Sequence, residues 1–181
     1  MASSIDATVS SGVAVSSDNS GILQFKSGGT TIATIGPTGL STQVGAPAFS
    51  AYQSAITTLP AATWTKLQLN TKEYDTNNNY NTTNYRFTPT VAGYYAVTAS
   101  WEGNSSTGTY NYIAIYKNGS SWKRMGYTST LSGTTSAQIS CQLYLNGSTD
   151  YIEAYGLCGA GTAADSSQAQ TYFMASMIRS A

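Results

Sequence analysis

The chain has 181 residues, and its eight basic and eight acidic side chains balance to a formal net charge of zero, with no histidine. That balance argues against the basic face needed for nucleic acid or an anionic membrane, and the missing histidine excludes the commonest acid–base catalyst near neutral pH. The length suits one ordinary domain with a short appendage. Charged residues make up only 9%, against about 25% in soluble domains, so part of the surface is expected to be covered by copies of the chain or by a partner.

Residues 1–46 are small, polar and glycine-rich. They open on MASSIDATVSSGVAV, which has neither a basic start nor a continuous apolar run. It does not read as a secretory signal, and no later run is apolar enough to span a bilayer. Within this region GILQFKSGGTTIATIGPTG predicts a hairpin. Ile22, Leu23 and Phe25 lead into Ser27-Gly28-Gly29; Ile32, Ala33 and Ile35 follow, before a turn at Gly36–Gly39. A Gly-Gly pair between two β-prone runs is a hairpin signal. A lone hairpin buries too little to be stable in water. It must therefore pack on the main domain, on its own copies or on something larger.

From Pro47 the chain becomes a succession of strand signals: 48–55, 63–70, 84–89, 93–101, 110–117, 122–128, 134–145, 150–156 and 171–179. Asn118-Gly119 and Asn146-Gly147 are two-residue turn signals. Tyr95, Val97, Ala99 and Trp101 fall on one face of their strand, and Ile139, Cys141, Leu143 and Leu145 on one face of theirs. Period-two alternation without helical periodicity predicts an all-β sandwich or jelly roll. In RFTPTVAGYYAVTASW, residues 86–101, the second face carries Tyr94, Ala96, Thr98 and Ser100, again without charge. Either another subunit covers that face, or it is an outer face that lacks charge.

Signals for chemistry are sparse. The eight carboxylates are scattered; Glu73 and Asp75 alone are two apart. They read as a solvated pair, with a sugar-cleaving pair as the sharper alternative. With the Asn77–Asn79 run they could also ligate calcium, the alternative being a polar loop. No catalytic residue, metal or cofactor is predicted. Cys141 and Cys158 are expected as reduced, buried thiols, or else as a disulfide between neighbouring strands. Tyr110, Tyr112, Tyr116 and Trp122 could stack on sugars, serve as cross-strand pairs or core, or form subunit contacts.

From Leu69 the pattern L-x5-D-x4-Y-x6-F-x5-G-x-Y-x-V-x-A runs through Asp75, Tyr80, Phe87, Gly93, Tyr95, Val97 and Ala99. It resembles the signature of the complement component 1q globular head, in the tumour necrosis factor-like superfamily; Leu69, Val97 and Ala99 each replace an aromatic. IAIYKNG at 113–119, LNGSTDYIEAY at 145–155 and TYFMASMI at 171–178 are similar to later strands of that family. The resemblance implies a ten-strand jelly roll over residues 47–181 that forms a homotrimer. Phe87, Gly93, Tyr95, Val97 and Trp101 would lie in the subunit core. Ala96 and Thr98 would approach the threefold axis, with Tyr172 also at the interface.

SGILQFKSGGTTIATIGPTGL at 20–40 resembles segments of fibre and appendage proteins of tailed bacteriophages. Together the resemblances imply a non-enzymatic virion structural protein, made in the host bacterial cytoplasm and placed on the virion surface. The expected role is a homotrimeric capsid decoration, or cement, protein. Its 1–46 arm would dock through Ile22, Leu23, Phe25, Ile32 and Ile35 on the major capsid protein or another virion protein. The alternative is a tail-fibre tip contacting host surface glycans.

Overall fold

A computed structural model describes residues 21–36, 41–43, 45–106, 110–128 and 133–181. Contacts divide the chain into two units, Met1–Gly45 and Ala46–Ala181.

The first unit holds a three-stranded antiparallel sheet of β1 (Leu23–Ser27), β2 (Thr30–Ile35) and β3 (Ser41–Gln43). Gly28 and Gly29 connect β1 to β2 at φ of 55° and 82°. Two consecutive left-handed residues are what a two-residue hairpin needs, because that turn shares the twist of the strands it joins. The predicted hairpin therefore forms, and β3 adds a strand that its short polar sequence did not announce. Most of the turn expected at Gly36–Gly39 lies outside the described residues.

The second unit is all β. Its strands are β4 (Ala48–Tyr52), β5 (Thr57–Leu59), β6 (Thr65–Lys66), β7 (Thr71–Asp75), β8 (Tyr80–Asn81), β9 (Arg86–Phe87) and β10 (Ala92–Ser106). They continue as β11 (Tyr110–Lys117), β12 (Ser120–Thr128), β13 (Gly133–Asn146), β14 (Ile152–Cys158), β15 (Thr162–Ala164) and β16 (Tyr172–Ser180). One sheet runs β5-β15-β10-β16-β4-β7, with β13 on the other side of β10; the second runs β12-β11-β14-β9-β8, with β6 also on β14. All these pairings are antiparallel.

The core is the layer between the sheets. Tyr95, Val97, Ala99 and Trp101 of β10, Phe49 of β4 and Phe173 of β16 face Phe87, Ile113, Ile115 and Ile152 of the second sheet, and all are fully buried. Phe49 stacks between Tyr80 and Phe87 at 4.6 and 4.5 Å and meets Phe173 edge-on at 5.0 Å. The polar tips of the core aromatics are satisfied: Trp101 Nε1 donates to the Tyr112 carbonyl at 2.9 Å and Tyr80 Oη to that of Leu69 at 2.8 Å. Tyr95 Oη donates to the Val91 carbonyl at 2.7 Å. Burial pushes the Tyr95 hydroxyl up to about 12 and that of Tyr80 higher still, so both stay protonated donors.

Several strand boundaries depart from the sequence reading. The strand expected over 63–70 shrinks to β6, because after the Leu67 amide bonds the Ala154 carbonyl the chain peels away from β14 toward the first sheet. The one expected over 84–89 is only β9. β5, β7, β8 and β15 carried no readable pattern; β5 and β15 exist because they pair with each other, Leu59 opposite Thr162. Asn118 and Gly119 do close a two-residue hairpin between β11 and β12, at φ of 52° and 78°. Asn146-Gly147 does not. There the Asn146 side-chain oxygen accepts the amides of Ser148, Thr149 and Asp150 at 2.9–3.0 Å, and the longer turn carries the chain across to the second sheet.

Candidate functional site

The outer face of the first sheet takes the alternate side chains of β13, β10, β16 and β4. Tyr94 is flanked by Tyr144 and Arg179, Ala96 by Gln142 and Ser176, Thr98 by Ser140 and Met174, and Ser100 by Gln138 and Tyr172. On β4, Ser50 and Tyr52 extend the last two rows. Tyr94 and Tyr144 are 50% and 41% exposed, their rings 5.6 Å apart. Thr98 Oγ1 donates to Ser140 Oγ at 3.3 Å, and Gln138 Nε2 donates to the Tyr172 hydroxyl at 2.8 Å. The middle of this face carries no charge. Arg179 stands at one end, and at the other an open groove of about 560 Å³ is lined by Glu73, Gln168, Tyr172 and Met174 among others.

This geometry gathers Ala96, Thr98 and Tyr172 on one surface. Met174, Tyr52 and Tyr144 join them there, and sequence reasoning missed all three. The signal for them was the run of uncharged alternate positions on β13, β16 and β4, which becomes legible only once β13 and β16 are known to flank β10 and β4 to lie beside β16. Phe87, Tyr95, Val97 and Trp101 offer no surface to a partner. Gly93 is buried as well; a Cβ there would lie 2.4 Å from the Arg179 carbonyl oxygen. In the N-terminal unit Ile22, Phe25 and Ile32 are exposed, while Leu23 and Ile35 are half-buried.

Glu73 and Asp75 are spent on structure. Asp75 Oδ1 accepts the Asn79 amide at 2.9 Å; Oδ2 accepts the Tyr80 amide at 2.9 Å and Lys72 Nζ at 2.8 Å. Burial opposes ionisation of Asp75, but the Lys72 and backbone hydrogen bonds outweigh it and hold the carboxyl below its ordinary value. Glu73 turns elsewhere and accepts Ser50 Oγ and Gln168 Nε2. Those bonds, Ser50's first, lower its pKa. The two carboxylates thus form neither a facing catalytic pair nor a shared calcium cradle. Among the described residues no three His, Cys, Asp or Glu side chains come together. Cys141 on β13 and Cys158 on β14 are both free and sit in different sheets. Burial raises the Cys141 pKa.

On the outer face of the second sheet, Tyr110, Tyr112 and Tyr116 line up along β11. Trp64 lies against Tyr112 and Tyr116 at 6.4 and 6.3 Å. Trp122 sits apart, beneath Lys117 Nζ at 5.8 Å.

No protein-family model matches the chain, and no curated protein is similar to it in sequence. Solved structures share its fold. The globular domain of zebrafish complement 1qA superposes with a TM-score of 0.59 at 14% identity, covering 75% of this chain and 99% of that one. Eiger TNF from S. frugiperda superposes with a TM-score of 0.55 at 12% identity, over 75% and 93% of the two chains. The PRD1 vertex protein P5 gives a TM-score of 0.57 at 16% identity over 92% of this chain and 87% of its own, a longer span than residues 46–181. The chain therefore has the jelly-roll fold shared by complement 1q heads and tumour necrosis factor-like domains.

Proposed function

We propose that this chain is a non-enzymatic structural protein of a bacteriophage particle. It assembles as a homotrimer through the outer face of its first sheet and attaches to the capsid through its N-terminal unit, as a decoration protein. The observation that carries the reading is the uncharged, tyrosine-rich outer face of β13, β10, β16 and β4. Aromatic residues are enriched and charged ones depleted at the centres of protein interfaces, and a face placed on a rotation axis meets its own copies. The likeness to a phage vertex protein over most of the chain supports the virion setting. The exposed Ile22, Phe25 and Ile32 supply apolar contacts for docking. Three such arms on one trimer raise the effective concentration of each, so weak single contacts combine into firm attachment. Attachment in turn stabilises the shell by mass action.

Imaging of intact particles labelled with gold-tagged antibody against the chain tests the location. Gold spread over the head is expected. Gold confined to the tail would replace decoration by a receptor-binding tip, a second reading favoured by the aromatic groove described next. Unlabelled particles would overturn both. Deleting residues 1–46 is expected to abolish attachment and leave a folded trimer; gel filtration giving monomers or aggregates would refute the division of labour between the two units.

A further inference from the structure

The outer face of the second sheet carries a groove that trimerisation does not use. It measures about 350 Å³ and is lined by Trp64, Tyr110, Tyr112, Arg124 and Leu157. Small-ligand sites span about 300–1,000 Å³. Its aromatic wall is continuous: Tyr110 meets Tyr112 at 5.3 Å, Trp64 leans on Tyr112 and Tyr116, and Tyr116 stacks on Tyr155 at 3.9 Å. Gly126 of the neighbouring strand makes room for the Tyr112 ring. A Cβ there would fall 2.0 Å from a carbon of the Tyr112 ring.

Charge on this face is lopsided, although the chain as a whole is neutral. Glu153 is buried, and its Oε1 accepts both Lys66 Nζ at 2.7 Å and Arg86 Nη2 at 2.9 Å. Lys66 and Arg86 thus share one carboxylate. Arg124, opposite the small Ala114 on the edge strand, is exposed and makes no ion pair among the described residues. One guanidinium without a carboxylate therefore stands in a groove of ring faces and phenol hydroxyls.

We infer that this groove binds an acidic pyranose unit of a polysaccharide. A sugar ring has an apolar C–H face that packs on the electron-rich face of an aromatic ring, and a rim of hydroxyls that the tyrosine hydroxyls can meet. Its carboxylate would complete Arg124 in the fork geometry that guanidinium favours. A single unpaired cation does not suit a phosphate chain, which needs a row of them. The inference rests on the proposed trimer only in that the second sheet must face outward.

Calorimetric titration of the full-length chain with a tetramer of galacturonic acid, and with the uncharged galactose tetramer, tests it. The acidic tetramer is expected to bind and to weaken as salt rises; the neutral one is expected to bind at least about tenfold more weakly, since a hydrogen-bonded charge pair is lost. R124Q, an exposed change that leaves the core intact, is expected to remove that preference. Y110A is expected to weaken both sugars by removing a ring face. Absence of acidic-tetramer binding, equal binding of the two tetramers, or an R124Q chain indistinguishable from the parent would each overturn the site. Light scattering on the same sample separates the two proposals. A monomer that binds the acidic tetramer refutes the trimer alone, and a trimer that ignores it refutes the groove alone.

Discussion

Gly93 and Gly126 lack a side chain for different reasons, and their alanine variants should behave differently. At Gly93 the space is taken by main chain, the carbonyl of Arg179 on the adjacent strand, which can move only if β16 moves. G93A should cost about 1–3 kcal/mol, the usual range for overpacking, read as a lowered urea midpoint. At Gly126 the space is taken by the Tyr112 ring, which can swing. G126A should leave the urea midpoint closer to the parent than G93A does and weaken binding of the acidic tetramer. Acid response also belongs to single residues. Asp75 and Asp150 both have their pKa lowered from 3.8, each by hydrogen bonds that overcome burial; for Asp150 these come from Asn118, Lys117 and the Asn146 amide. A carboxylate depressed in the folded state stabilises above its unfolded value and loses that contribution as pH falls through the folded one. The urea midpoint should therefore hold steady down to about pH 5 and drop below about pH 4. D150N should lower the neutral midpoint and flatten the acid limb; an acid limb as steep as the parent's would count against this assignment.

Among the elements, the connection from β13 to β14 shows why one Asn-Gly pair makes a hairpin and the other does not. After β11, both Asn118 and Gly119 take left-handed φ, and β12 returns alongside. After β13, Asn146 keeps a negative φ and spends its side chain on three successive amides, because β14 belongs to the opposite sheet and a tight turn could not reach it. N146A should cost about 0.5–1.5 kcal/mol through the lost hydrogen bonds to these amides, with N146D recovering much of the loss; thermal melts of the two variants check this. Long, strongly alternating strands such as β10 and β13 were legible in the sequence because one buried face imposes period two. β5, β6, β8, β9 and β15, each two or three residues long, left too few positions for any period to register.

For the whole molecule, the central question is which outer face meets other molecules. A charge placed at the middle of the uncharged face should decide the first half of it. T98R, in the row between Ser140 and Met174, should give folded monomers by light scattering with an unchanged far-ultraviolet spectrum. A trimer that tolerates arginine there would rule out this face as the interface. Residues that end up side by side in the groove, Trp64, Tyr110, Arg124 and Leu157, come from separate stretches of the chain. No spacing in the sequence links them, and Trp64 and Arg124 therefore went unnoticed while Tyr110 and Tyr112 were suspected together with Tyr116 and Trp122. What the sequence determined by itself was the class: net neutrality, the absent histidine, period-two alternation and turn chemistry leave an all-β, non-basic chain with a hairpin ahead of its main unit. Which faces become surface was decided by the tertiary structure alone. Alternation sorts side chains onto two sides of a strand, but the side that faces solvent depends on which sheet the strand joins and which strands lie beside it, and those partners are far away along the chain.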